Sequence, residues 1–378
     1  MAYTRREFGK LALAGLPAAA VLGRGESLFG AFAQAKPNSL INGVQIGTIT
    51  YSYRAMPDQS AEAVLKYVLD SGISAIELMG GPVESFAGAP ASGRGGGPGG
   101  GGGGGRRGAD PNAPPPQFTT EWKGQPCNPG PRGDAPPAAR GGGGGGRGRG
   151  EATPEQQAAQ REAADKLKAW RTSVSMDKFK ALRKMYNDAG VSIYAWKQIS
   201  LNMSDEEYEY IFNVAEALGC THTTLELPTG ENAEAQLKRL GDFALKKKIY
   251  AAYHTHLQGS MTAFDRAFAL SKGNTANVDF GHWVAAGNVG GTPMQFLEKN
   301  HARISSFHVK DRTTPEHCAL NLPLGQGETP IKEILQLVKK NKWKMPASIE
   351  MEYTVPEGSD PVAEVRKCVA YCRAALSS

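Results

Sequence analysis

Short runs of β-branched and aromatic residues alternate along most of this chain with longer segments whose apolar positions recur every three or four residues. The first kind reads as buried strands, the second as amphipathic helices packed against them. The pattern predicts strands over residues 44–50, 75–78, 191–196, 221–227, 249–256, 277–280, 304–310 and 347–352. Helices are predicted over 61–71, 176–189, 205–218, 233–247, 262–271, 294–300, 331–341 and 361–375. The punctuation agrees: Ser204 precedes the helix that starts at Asp205, and Gly72, Gly190 and Gly219 follow theirs. Eight strands, each followed by a helix, is the count of an α/β (β/α)8 TIM barrel. The competing doubly wound sheet advertises a glycine-rich phosphate turn after its first strand. Here that turn reads Thr50-Tyr51-Ser52-Tyr53-Arg54, without a glycine.

Two segments break the alternation. Residues 87–155 are rich in Gly, Arg and Pro, with 24 of the chain's 47 glycines between Gly88 and Gly150. Such a composition buries too little apolar surface to offset its ordering entropy, so a disordered insert is expected after strand two, on the barrel's active-site face. Residues 1–35 carry Arg5-Arg6, an apolar stretch over 11–22 and Ala33-Gln34-Ala35. They read as a twin-arginine signal, handled by the twin-arginine export machinery and leaving a mature barrel over 36–378 in the periplasm. The apolar stretch is short and interrupted by Pro17, so no stable membrane anchor is expected.

Charge adds an exclusion. The formal net charge of the 378 residues is +6. Most of it lies in the insert and the leader, so the body is close to neutral and offers no basic surface for a phosphate backbone. Nucleic acid is therefore not expected as a partner. The five cysteines, Cys127, Cys220, Cys318, Cys368 and Cys372, are odd in number and scattered, which argues against a disulfide scaffold.

Candidate chemistry sits at the strand ends. Glu226 closes strand four, His254 and His256 strand five, and Asp279 and His282 strand six. His308, Lys310 and Asp311 close strand seven, and Glu350 and Glu352 strand eight. Five consecutive strands thus aim carboxylates and imidazoles at one mouth. Oxygen and imidazole donors without nearby thiols suit one divalent ion, Mn, Mg, Co or Zn.

The segments Thr48–Tyr53, Ile76-Glu77-Leu78, Tyr253–His256, Val278–His282, Phe307–Asp311 and Ile349–Glu352 together resemble the sugar phosphate isomerase/epimerase family of xylose isomerase-like TIM barrels. The resemblance covers residues 41–82 and 160–376. It implies a divalent metal held by strand-end Glu, Asp, His and Glu from strands five to eight. Asp279, His308 and Glu350 match the last three positions. At the strand-five position this chain has His254 where the epimerases have Glu. The fourth ligand is then His254 itself or Glu226 from strand four, and charge balance favours Glu226.

The chemistry implied is proton abstraction next to a carbonyl on an unphosphorylated small-molecule carbohydrate, with the ion stabilising the enediolate. His256 is the first candidate base and His254 the second. Lys310 is placed to polarise the carbonyl or protonate an oxygen. His282 and Glu352 are placed to bind hydroxyls, and Trp196 to offer a ring face. Reprotonation would make an isomerase or epimerase, and expulsion of a β-substituent a dehydratase or keto-glycoside lyase. Outside this class stand a zinc nuclease resembling the apurinic-site endonucleases and a non-catalytic binding protein.

Overall fold

A computed structural model describes residues 36–90, 118–132, 153–228, 230 and 233–378. The twin-arginine segment lies outside the described residues. Eight parallel strands close on themselves: β1 Val44–Ile49, β2 Ala75–Met79, β3 Ser192–Lys197, β4 His222–Glu226, β5 Tyr250–His254, β6 Asn274–Asp279, β7 Ile304–Val309 and β8 Ala347–Ile349. Closure comes from β1, which pairs with β2 through Thr48↔Ile76 and with β8 through Ala347↔Ile46. The (β/α)8 barrel expected from the alternation is the fold.

Helices α1 Ala61–Asp70, α2 Gly80–Phe86, α3 Pro154–Ser173, α4 Asp177–Asp188, α5 Asp205–Leu218, α6 Glu234–Lys247, α7 Asp265–Leu270, α8 Phe280–Ala285, α9 Pro293–Asn300, α10 Ile331–Asn341 and α11 Pro361–Ser377 surround the strands. Their starts follow from local chemistry. Ser204 accepts from the Glu207 amide while the Glu207 side chain returns to the Ser204 amide, and Gly219 at φ +80° closes the same helix. Apolar faces such as Val64, Leu65 and Val68 of α1 pack inward. Strand six begins three residues before its expected start, because Asn274 is buried rather than solvated. Its amide donates to the Leu237 and Ala267 carbonyls.

The upper barrel interior is polar. Glu77 of β2, Thr224 of β4 and Asn277 of β6 meet there, a layer built from alternate strands. Below it His222 is fully buried against Ser306 Oγ at 2.8 Å and Thr221 Oγ1 at 2.9 Å. Burial outweighs the attraction of Glu77 and lowers the His222 pKa from 6.5 to about 4. The unfolded chain therefore binds the extra proton first. Stability is expected to fall by up to about 3 kcal/mol as pH drops from roughly 6.5 through 4. Denaturant midpoints at pH 7 and pH 4.5 read this, and His222→Gln should flatten the difference.

The insert is not structureless throughout. Residues 118–132 contain a hairpin, Thr120–Trp122 against Gln125–Cys127, turned by Lys123 and Gly124, both at positive φ. A disulfide, Cys127–Cys318, fixes it to the segment after β7. Around that bond the Gly130 amide donates to Pro315 O, Lys123 donates to Gln326 O, and the Trp122 and His317 rings lie 4.7 Å apart. The two cysteines are 191 residues apart, so spacing gave no hint of the pairing. Cys220, Cys368 and Cys372 are free and buried.

Helix α3 also begins within the expected insert. Pro154 is the first helical residue, inside the Thr153–Gln156 capping box, and Arg171 near the helix end is buried against Glu84 at 2.8 Å. Reduction, or Cys127→Ser, is expected to release the hairpin. Limited proteolysis should then cut within 118–132 much faster while barrel unfolding stays cooperative. An unchanged cutting rate would mean that the non-covalent contacts suffice.

Candidate active site

The site is built around an acid inside the barrel. Glu77 is fully buried, and its carboxylate accepts from Thr224 Oγ1 at 2.6 Å and from Asn277 Nδ2 at 3.2 Å. His308 Nε2 lies 3.0 Å from Glu77 Oε2, and His308 Nδ1 lies 2.9 Å from Glu350 Oε2. A ring with a carboxylate on each nitrogen donates from both, so His308 is an imidazolium. Burial opposes that charge, but Glu350 and Glu77 outweigh it and raise the pKa to about 10. Burial likewise opposes the charge on Glu77, and His308, helped by Lys197 and Thr224, holds its carboxyl at about 2.

Lys310 ties the next layer together. Its ammonium stands 2.8 Å from Glu350 Oε2, 2.8 Å from Glu352 Oε2 and 3.0 Å from Asp279 Oδ2. Burial would neutralise it, yet Asp279, Glu350 and Glu352 raise its pKa above the ordinary lysine value. It also lies 3.0 Å from His282 Nε2. Asp279 caps α8 by accepting from the His282 amide at 2.7 Å. The short strand-to-helix turn of Asp279-Phe280-Gly281-His282 thereby brings an acid and an imidazole together.

Ligand atoms of His254, Asp279, His282 and Glu350 lie within 4.8 Å of one another, all four residues buried. His254, His256 and His282 form an overlapping group, in which His256 is exposed. His254 Nδ1 and Asp279 Oδ2 are buried without a hydrogen bond, although Lys310 approaches the second. Burial first, and neighbouring cations second, depress the pKa of both His254 and His282 far below the usual imidazole value. Both rings are therefore neutral, each with one nitrogen lone pair. Two carboxylates, two neutral imidazoles and the unpartnered buried His254 Nδ1 are a donor set that fits a divalent cation.

The structure brings together His254, His256, Asp279, His282, His308, Lys310, Glu350 and Glu352 of the residues expected at the mouth. It keeps two others apart. Glu226 is half exposed, 2.8 Å from Lys197 and 3.7 Å from His256 Nε2, and is not among the converging ligand atoms. The imidazoles that converge with Asp279 and Glu350 are those of His254 and His282, whereas His308, at the family's histidine position, is outside that group with its nitrogens facing Glu77 and Glu350. Trp196 is fully buried, edge-on to Tyr210 at 6.0 Å, so its ring face is covered by the protein itself. Sequence reasoning gave no role to Glu77, Lys197 or Arg312. The signal for Glu77 was present: an acid between Ile76 and Leu78 in a buried strand is costly unless paired.

With this geometry in view, comparison with known proteins is informative. Residues 162–374 match the model of the xylose isomerase-like TIM barrel family. The chain belongs to that family. Solved structures of similar fold include a sugar phosphate isomerase/epimerase from Parabacteroides distasonis ATCC 8503, at TM-score 0.52 and 14% identity over 89% of this chain and 96% of that one. Another is the 3-keto-D-glucoside 4-epimerase YcjR from E. coli, at TM-score 0.50 and 11% identity over 88% and 99%. A third is the probable 3-DHS dehydratase AsbF from Bacillus anthracis, at 0.50 and 12% over 87% and 99%. No curated protein matches by sequence. At such identities these likenesses speak to the fold, and the family's barrel mouth is where this chain gathers its buried charges.

Proposed function

We propose that this chain is a divalent-metal-dependent enzyme of the sugar isomerase/epimerase type, moving a proton on the carbon next to a carbonyl. The observation that carries the reading is the convergence of His254, Asp279, His282 and Glu350 at the barrel mouth, with both imidazoles neutral. These four would hold the ion, with His308 and its two carboxylates behind them. When bound, such an ion supplies Lewis-acid polarisation of a carbonyl.

The remaining work falls to the side chains. His256 is the base, because it is the exposed member of the histidine group and so is accessible to a substrate C–H. Glu226, 3.7 Å from its Nε2, stabilises the imidazolium once the proton arrives. His254, fully buried and pushed far down in pKa, is the weaker base. Lys310, held protonated by its carboxylates, donates to the oxygen on which charge develops. Glu352 borders the same space and orients hydroxyls. Return of the proton gives isomerisation or epimerisation, and loss of a β-substituent from the same intermediate gives dehydration.

The leader over residues 1–35 is proposed to export the chain, and the Cys127–Cys318 bond supports an oxidising destination. The decisive experiment is exchange of a sugar α-hydrogen with deuterated water, followed by NMR in the presence of Mn²⁺. The parent should exchange. His256→Gln should lose at least about a hundredfold in rate while binding Mn²⁺ as the parent does. Undiminished exchange in that variant would remove His256 from the role.

A further inference from the structure

Both lysines at the mouth are matched to anions, and Arg54, without an ion pair among the described residues, donates to the Tyr51, Met351 and Glu352 carbonyls. Lys310 has three carboxylates within 3.0 Å, and Lys197 has Glu226 at 2.8 Å. Arg312, just beyond β7, forms no ion pair among the described residues. One terminal nitrogen lies 2.6 Å from His282 Nδ1 and the other donates to the Ala319 carbonyl, while its Nε is buried without a partner. Asp279 and Glu352 act on it only from beyond ion-pair distance, and burial pulls its pKa below the ordinary arginine value.

The contact with His282 is a poor end point for a guanidinium. The other nitrogen of that ring faces the Lys310 ammonium at 3.0 Å. A neutral imidazole has one lone pair, so one of the two cations must meet an N–H. An unmatched, largely desolvated cation beside the converging ligand residues is costly to keep unless something anionic arrives to meet it. The planar fork of arginine is shaped for two parallel oxygens.

We propose that Arg312 recognises a carboxylate on the substrate, so that the site takes a sugar acid in preference to a neutral sugar. This rests on the reading of the site as a sugar enzyme and narrows its substrate class. His282 then lies between the anion-binding arginine and the Lys310 cluster, and Ala319, which accepts from the guanidinium, is next in sequence to the disulfide-bonded Cys318.

The test is calorimetric binding of D-glucuronate, D-glucose and glucose 6-phosphate to the full chain in Mn²⁺. Glucuronate should bind at least about tenfold more tightly than glucose, as a charge-assisted fork requires. Arg312→Gln should erase the preference by weakening glucuronate alone, and Arg312→Lys, which keeps charge without the fork, should retain part of it. Equal affinities in the parent, or a preference that survives Arg312→Gln, would overturn the proposal. Tighter binding of glucose 6-phosphate than of glucuronate would also overturn it, in favour of a phosphate. Because binding is read without turnover, loss of α-hydrogen exchange with the preference intact would sink the enzymatic reading alone.

Discussion

Glu77→Ala is expected to cost about 3–5 kcal/mol of stability, the penalty for breaking a buried charge pair from one side. The variant leaves His308 Nε2, Thr224 Oγ1 and Asn277 Nδ2 without their shared acceptor in a dry interior. It also adds a cavity where the carboxylate stood. Denaturant unfolding measures the loss directly. Glu77→Gln separates charge from shape, since it keeps an acceptor but removes the negative charge that helps hold the His308 proton. In that variant the ring should titrate below its value of about 10, which NMR of the imidazole reads. If Glu77→Ala unfolds at the parent's midpoint, the interior acid is not the keystone that its contacts imply.

That residue also marks the limit of what the sequence disclosed. Alternation of apolar runs and amphipathic helices was enough for the barrel, because each strand had to be buried on both sides and each helix on one. The strand-end acids and histidines were legible too, since a cluster of expensive residue types at equivalent positions is hard to produce by chance. Partner choice was not legible. Whether Glu226 or His254 turns toward Asp279 depends on Lys197, which draws Glu226 outward at 2.8 Å. Whether Trp196 faces the mouth depends on strand parity at its end, and the ring went to Tyr210 instead.

The insert shows the same limit. Composition sets residues 87–155 apart, but local composition says nothing about a cysteine 191 positions away. Nor does glycine content forbid a two-strand hairpin once a covalent bond and the Trp122–His317 contact hold it. Helix α3 begins inside the expected insert because Thr153 and Gln156 form a cap whose signal is local and strong, and its last turn is anchored by the buried Arg171–Glu84 pair. Boundaries set by capping can be read from sequence. Boundaries set by long-range pairing cannot.

Lys310→Met should expose the site's electrostatic logic most directly. Removing the ammonium leaves Asp279, Glu350 and Glu352 with no lysine at the 2.8–3.0 Å it now occupies. Buried carboxylates left facing one another are expected to lower stability by about 3–5 kcal/mol when chelator is present. A divalent cation supplies the missing charge. Mn²⁺ at about a hundred times its dissociation constant should return about 2.7 kcal/mol by mass action. At the same Mn²⁺ concentration the return in the parent should be smaller, because there the ion must share the carboxylates with an ammonium already seated among them and binds more weakly. Thermal unfolding of both proteins, with Mn²⁺ and with chelator, measures the four values needed. Recovery confined to the Lys310→Met protein would mean that lysine and metal are alternatives at one position, whereas recovery in both means that they are neighbours. No recovery in either would remove these carboxylates from the cation site, and the proton-transfer reading would lose the donor set on which it stands.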